Sequence, residues 1–203
     1  CLPIIFILQT TYYPKSLSNF FSNFSDKFEY LKAGDVLIIY VITLLIIQKI
    51  LIRIVVFFKG RDAKSKFIDL ITFRAFNNKF KPTQTPNDWI STDMTNVNDY
   101  TNDPMCGFIA SNGLWDDMAS SFKSIYNKKH YSCSDHELPV LIISGDKDPV
   151  GEMGAGVKRL YEFLKSIFKN TSFILLKNER HEVFSGLDKS NTYSKLKTFL
   201  MAH

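Results

Sequence analysis

The 203-residue sequence predicts an α/β fold on three observations. Val140 to Ser144 is apolar and β-branched without polar alternation, as expected of a strand covered on both faces. Ser172 to Leu176 is a second short apolar run, and the segment between the two has a helical period. A last amphipathic stretch follows. Strand, helix, strand, helix at these lengths is a βαβα unit, whose two strands pair in parallel.

Each element has its own signal. Gly145 to Gly156 reads as a loop, because Gly151, Gly154 and Gly156 delay regular structure. Val157 to Phe168 then places Val157, Leu160, Tyr161, Leu164 and Phe168 on one helical face. Asn170-Thr171 breaks that helix, and a polar turn from Lys177 to Arg180 delivers the chain to His181. The closing helix, Thr192 to Met201, is expected to bury Tyr193, Leu196, Phe199 and Leu200. Near the start, "LPIIFILQ" (Leu2 to Gln9) reads as a third strand, and the long middle of the chain reads as mainly helical.

Composition narrows the function. At 45% apolar and 22% charged the chain is an ordinary folded protein, and its 18 Phe favour apolar surfaces and an apolar ligand. The formal charge of +5 is spread out. Its densest cluster, Lys128-Lys129-His130, is short and sits in no nucleic-acid module, so no nucleic-acid partner is expected. Cys1, Cys106 and Cys133 have neither a disulfide framework nor a metal spacing, which is the pattern of thiols in a reducing, cytoplasmic setting. The chain starts at Cys1 rather than Met, so the lack of a leader carries no weight. Val36 to Phe58 is long and apolar, but Gln48-Lys49 and Arg53 interrupt it. Two cations in a hydrocarbon layer are costly, so this stretch is expected to pack on a core or lie against lipid without spanning it.

The rim of the sheet holds the candidate chemistry. Parallel neighbours end on the same side, where open α/β sheets place their ligands, and adjacent strands lie roughly 5 Å apart. Asp146 or Asp148, following the first strand, can therefore meet His181, following the second. A carboxylate beside an imidazole fixes its tautomer and stabilises the imidazolium formed on taking a proton. Spacing alone leaves both aspartates eligible. It also leaves Asp148-Pro149 open as a helix start and His181 open as an ordinary loop histidine. Gly151, Gly154 and Gly156 stand in the wrong order for a dinucleotide fingerprint.

The strings "LPVLIISGDKDPVGEMGAGVKRLYEFLK", "NERHEVF", "FNNKFKPTQTPNDWISTD" and "NDYTNDPMCGF" resemble α/β-hydrolases of the serine-aminopeptidase, monoacylglycerol-lipase and lysophospholipase group, over roughly residues 50 to 203. The resemblance implies a partial α/β-hydrolase fold: C-terminal strands of a parallel sheet with flanking helices, plus a mainly helical cap. It divides the chain into an uncertain segment 1–44 holding at most one core strand, a cap over 45–135 and core over 136–203. It makes Asp148 the acid and His181 the base. It assigns Trp89, Phe108 and the helix around Ile50 to Phe58 to an apolar acyl pocket, and it implies no metal or organic cofactor.

One departure is large. The nucleophile of such enzymes stands in a Gly-x-Ser-x-Gly turn, and none of the nine glycines here is followed two places later by serine. The early His-Gly loop that gives the second oxyanion contact is absent as well. Ser144, Ser91 and Ser111 lack the strained turn and are not expected to substitute. The expectation is a fragment or truncated form of a serine ester hydrolase, inactive alone, whose substrate is a lipid-like or other acyl ester. It would associate with a missing N-terminal half or with itself. The alternative is a non-catalytic lipid- or protein-binding remnant of the same fold.

Overall fold

A computed structural model of the chain describes residues 4–6, 47 and 49–203. Most of the N-terminal segment 1–44, including all but three residues of the strand read over Leu2 to Gln9, lies outside the described residues. So do residues 36–46 and 48 of the apolar run. By contacts the chain forms two compact units. The first joins Cys1–Tyr12, Asp69–Phe108 and Tyr131–His203, and the second joins Tyr13–Ile68 and Ile109–His130.

The first unit holds a three-stranded parallel sheet in the order β1 (Ile4–Phe6), β2 (Val140–Gly145), β3 (Thr171–Leu176). β2 is central, pairing Ile4 with Val140 on one side and Val140 with Thr171 through Gly145 with Leu176 on the other. Val140, Leu141, Ile142 and Ile143 are all at most 1% exposed, which explains their unbroken apolar run. Each such side chain contributes about 1.5–3 kcal/mol by leaving water. β3 is only half covered, with Leu175 42% exposed.

The crossover helix, Ala155–Lys165, buries Val157, Leu160 and Leu164, and Phe168 just beyond it is 1% exposed. Tyr161, on the same face, stacks on Phe173 of β3 with ring centroids 5.3 Å apart. The helix begins two residues before Val157 because Gly154, at φ +88°, turns the chain into it. It stops at Lys165 because the next residues bend back towards β3.

The closing helix, Lys189–Ala202, corrects one expectation. Thr192 and Phe199 are its buried residues, whereas Tyr193 is 53% and Leu200 44% exposed. The buried line is thus rotated by about one position. Tyr193 instead rests on Phe184 at 5.3 Å.

Two other helices have side-chain caps at their N-termini. Met94–Asn102 lies in the first unit and is capped by Asp93, whose carboxylate accepts from the Thr95 N–H. Asn112–Ile125 lies in the second unit and is capped by the Ser111 hydroxyl. Arg61 holds that helix through both Asp116 and Asp117. Among the described residues no helix is long and apolar enough to cross a membrane.

The closest approach in the sheet lies at Gly145, where a Cβ would sit 2.0 Å from the Glu179 carbonyl oxygen and 2.4 Å from that of Arg180. Backbone atoms cannot step aside from such an overlap. Gly145→Ala is therefore expected to cost on the order of 3 kcal/mol or more, read as a fall in the thermal or urea midpoint. A stability within 0.5 kcal/mol of the wild type (about the scatter of neutral surface changes) would contradict the packing described.

Candidate active site

Asp148 and His181 leave β2 and β3 at the same end of the sheet. The His181 Nδ1 lies 3.2 Å from Oδ1 and 3.2 Å from Oδ2 of Asp148. Both side chains are enclosed, at 11% and 3% exposure. The carboxylate is aimed by its own loop. Its Oδ1 accepts from the Val150 N–H at 2.9 Å, closing a turn over Pro149, and the Asp148 carbonyl accepts from the Met153 N–H. Glu152, Met153 and Gly154 then take left-handed backbone angles in succession, a costly arrangement for the two non-glycine residues. Gly151 is required at its place, since a Cβ there would meet Val157 at 2.7 Å and the Asp148 Oδ2 at 3.3 Å. The helix start open at Asp148-Pro149 in the sequence lies instead at Gly154.

Asp146 has a different task. Its Oδ1 accepts from the Asn178 N–H at 2.7 Å, and its N–H donates to the Leu176 carbonyl. It ties the turn after β3 to the end of β2. Of the two aspartates, Asp148 is the one bonded to the imidazole.

Trp89 borders the histidine, with ring centroids 5.2 Å apart at a 39° tilt. It is itself wedged against Phe73, stacked at 5.6 Å, and Phe76 at 5.5 Å. Its indole Nε1–H is buried with no acceptor among the described residues. Phe108, the other expected pocket residue, is 58% exposed and is no member of the cluster around Trp89.

The residues that hold His181 in place were not apparent in the sequence. The Arg180 guanidinium donates to the carbonyls of Asp88 and Ser91 and lies 4.2 Å over the Phe80 ring. Glu182 N–H donates to the Ile90 carbonyl at 2.7 Å. The buried Glu179 carboxylate accepts from the Thr92 hydroxyl at 2.8 Å and the Asp188 N–H at 3.0 Å. Ser91 Oγ donates to the Ser185 carbonyl. Residues 88–92 are thus bonded along the whole loop that carries the histidine. Burial pushes the Arg180 pKa down while Asp88 and Glu179 oppose it, and a guanidinium stays charged regardless.

One more charge sits nearby. The Lys79 ammonium, partly withdrawn from water although the residue is exposed overall, has its pKa lowered by desolvation, against the pull of Glu152 and Asp148. A positive charge thus shares the neighbourhood of the Asp148 carboxylate. The serines weighed as substitutes are otherwise engaged. Ser91 is 0% exposed and bonded as above, Ser144 Oγ donates to the Gly145 carbonyl at 3.5 Å, and Ser111 caps its helix. Among the described residues no cluster of His, Cys, Asp and Glu could hold a metal ion.

A family model described as serine aminopeptidase, S33, matches residues 45–188. Among solved structures, a thermostable carboxyl esterase from Bacillus coagulans in complex with glycerol matches with a TM-score of 0.64 and 20% identity. That match covers 77% of this chain and 53% of the esterase. A lipase in its open form matches with a TM-score of 0.64 and 21% identity, over 74% of this chain and 49% of the lipase. At such identities the likeness is one of fold. The chain spans about half the length of these two structures. No functionally curated protein matches it.

The clamp makes a pH-dependent prediction through Asp88. Burial pushes its carboxyl pKa up, but the Thr85 hydroxyl, the N–H groups of Gln84 and Thr85 and the Arg180 charge outweigh burial, so the net shift is downward. A lowered carboxylate pKa contributes stability that is complete above the unfolded value and is lost as pH falls through the folded one. Asp88→Asn is expected to lose about 1–3 kcal/mol at neutral pH and to show a shallower loss on acidification, both read by thermal unfolding across pH. Parallel acid limbs in the two proteins would contradict it.

Proposed function

We propose that this chain, which belongs to the serine aminopeptidase S33 family and has part of the α/β-hydrolase fold, supplies the acid and base of an esterase or lipase acting on lipid-like carboxylic esters. One observation carries the reading: the 3.2 Å approach of His181 Nδ1 to both oxygens of a buried carboxylate. Asp148 accepts the Nδ1–H and so holds the tautomer in which Nε2 is the basic nitrogen. Nε2 then takes the proton of a serine hydroxyl as its oxygen bonds to the ester carbonyl carbon. The same proton passes to the departing alkoxide when the C–O bond breaks. Water, deprotonated in turn by Nε2, releases the acid and restores the serine. The Asp148 charge stabilises the imidazolium in each half.

The serine in this scheme lies outside the 203 residues, since no glycine here is followed two places later by serine. Trp89 provides the apolar wall next to the histidine, and its buried indole N–H has no acceptor among the described residues. Phe108 is assigned an acyl contact by resemblance alone. A second reading, a non-catalytic module that binds a lipid or protein in the same apolar site, is favoured by the engaged hydroxyls of Ser91 and Ser144.

Labelling and turnover test the proposal together. The chain alone is expected to stay unlabelled by a fluorophosphonate probe. Coding DNA just upstream that supplies an in-frame Gly-x-Ser-x-Gly strand–turn–helix favours the enzyme, and its absence favours the binding module. The extended chain is then expected to cleave p-nitrophenyl butyrate and to lose on the order of a thousandfold in kcat with His181→Ala. Undiminished turnover in that variant would overturn the assignment.

A further inference from the structure

The second compact unit carries a feature that the acid–base chemistry does not use. Residues 49–59 form a helix whose exposed positions are largely apolar. Ile50 is 52%, Leu51 43%, Ile54 49%, Phe57 82% and Phe58 78% exposed, and Ile47 just before them is 45% exposed. At 3.6 residues per turn these positions fall within an arc of about 120°, a single apolar stripe rather than scattered contacts. The opposite side of the helix is the one that packs, with Ile52 only 4% exposed. A helix that buries one apolar face and presents another to water bears a cost that a covering partner removes.

Charge identifies the partner. Arg53, whose side chain is 66% exposed, borders the stripe, and Lys49 and Lys59 lie farther round the same helix. Across residues 49–66 the sequence has Lys49, Arg53, Lys59, Arg61, Lys64 and Lys66 against the single carboxylate of Asp62. Arg61 pairs with Asp116 and Asp117 and Arg53 also approaches Asp116 at 3.8 Å, while the segment itself keeps its six cations against one carboxylate. A protein partner with a complementary groove would match the stripe alone. An anionic lipid surface matches both the stripe and the cations: the rings enter the acyl boundary while lysine and arginine reach phosphate and carboxylate headgroups.

We propose that the helix over residues 49–59 lies in the plane of an anionic membrane surface and docks the protein there, with Phe57 and Phe58 as its deepest anchors. The two rings already touch edge to face at 5.2 Å, which presents them as one apolar wedge. Among the described residues no helix is long and apolar enough to cross a bilayer. The docking stands independently of the acid–base reading.

Flotation of the full chain with vesicles of equimolar phosphatidylcholine and phosphatidylserine tests this directly. Binding is expected, with a weakening of about tenfold or more in Phe57→Ser/Phe58→Ser, and of about fivefold for each charge removed in Lys59→Gln and Arg53→Gln. Pure phosphatidylcholine vesicles are expected to bind far less. Both rings are exposed, so the double variant should keep the wild-type thermal midpoint, which separates lost docking from lost folding. Absent binding by the wild type, or binding unchanged in the double variant, would overturn the proposal. So would a dimer that the double variant dissolves while vesicles bind neither protein.

Discussion

The backbone that leaves β2 and the backbone that leaves β3 are pressed together at Gly145, closer than any side chain allows. Lys147 N–H donates to the Glu179 carbonyl across this contact, and Asp146 accepts from Asn178 beside it. The two loops are thereby locked in register one residue at a time. Asp148 comes two residues after Asp146, and His181 two after Glu179, so the lock carries both to the same point. The acid–base pair is a consequence of strand pairing and one missing Cβ.

Register alone would leave His181 free to swing, and a clamp from far along the chain prevents that. Residues 88–92 bond to the histidine loop through Arg180, Glu182, Glu179 and Ser185, with partners as much as 94 residues apart in sequence. Buried charges of this kind are costly unless every one is matched. Here the Glu179 carboxylate has a hydroxyl and an N–H, and the Arg180 guanidinium has two carbonyls and a ring face. Gly186 completes the fit, because a Cβ there would lie 2.1 Å from Glu179 Oε2. The string "DWIST" thus does two things at once: its backbone grips the loop while its tryptophan faces the imidazole.

How much of this was legible follows from the range over which each signal acts. The two C-terminal strands and the helix between them announce themselves by local period, because Val140 to Ile143 are covered on both faces. The closing helix misled by one position, since Thr192 is buried as fully as Phe199 and no hydropathy pattern marks a buried threonine. Proximity of an aspartate to His181 followed from parallel pairing, but the choice between Asp146 and Asp148 did not. It depends on which carboxylate the Asn178 N–H captures. The clamp was invisible, because contacts between residues 88–92 and 179–188 leave no periodic trace. Glu179 and Arg180 read simply as a polar turn.

The most direct measurement of the central claim is the NMR signal of the His181 Nδ1 proton. A strongly downfield resonance is expected in the wild type, retained in Asp146→Asn and lost or moved sharply upfield in Asp148→Asn. Loss in the Asp146 variant with retention in the Asp148 variant would place the wrong carboxylate on the imidazole and contradict the account.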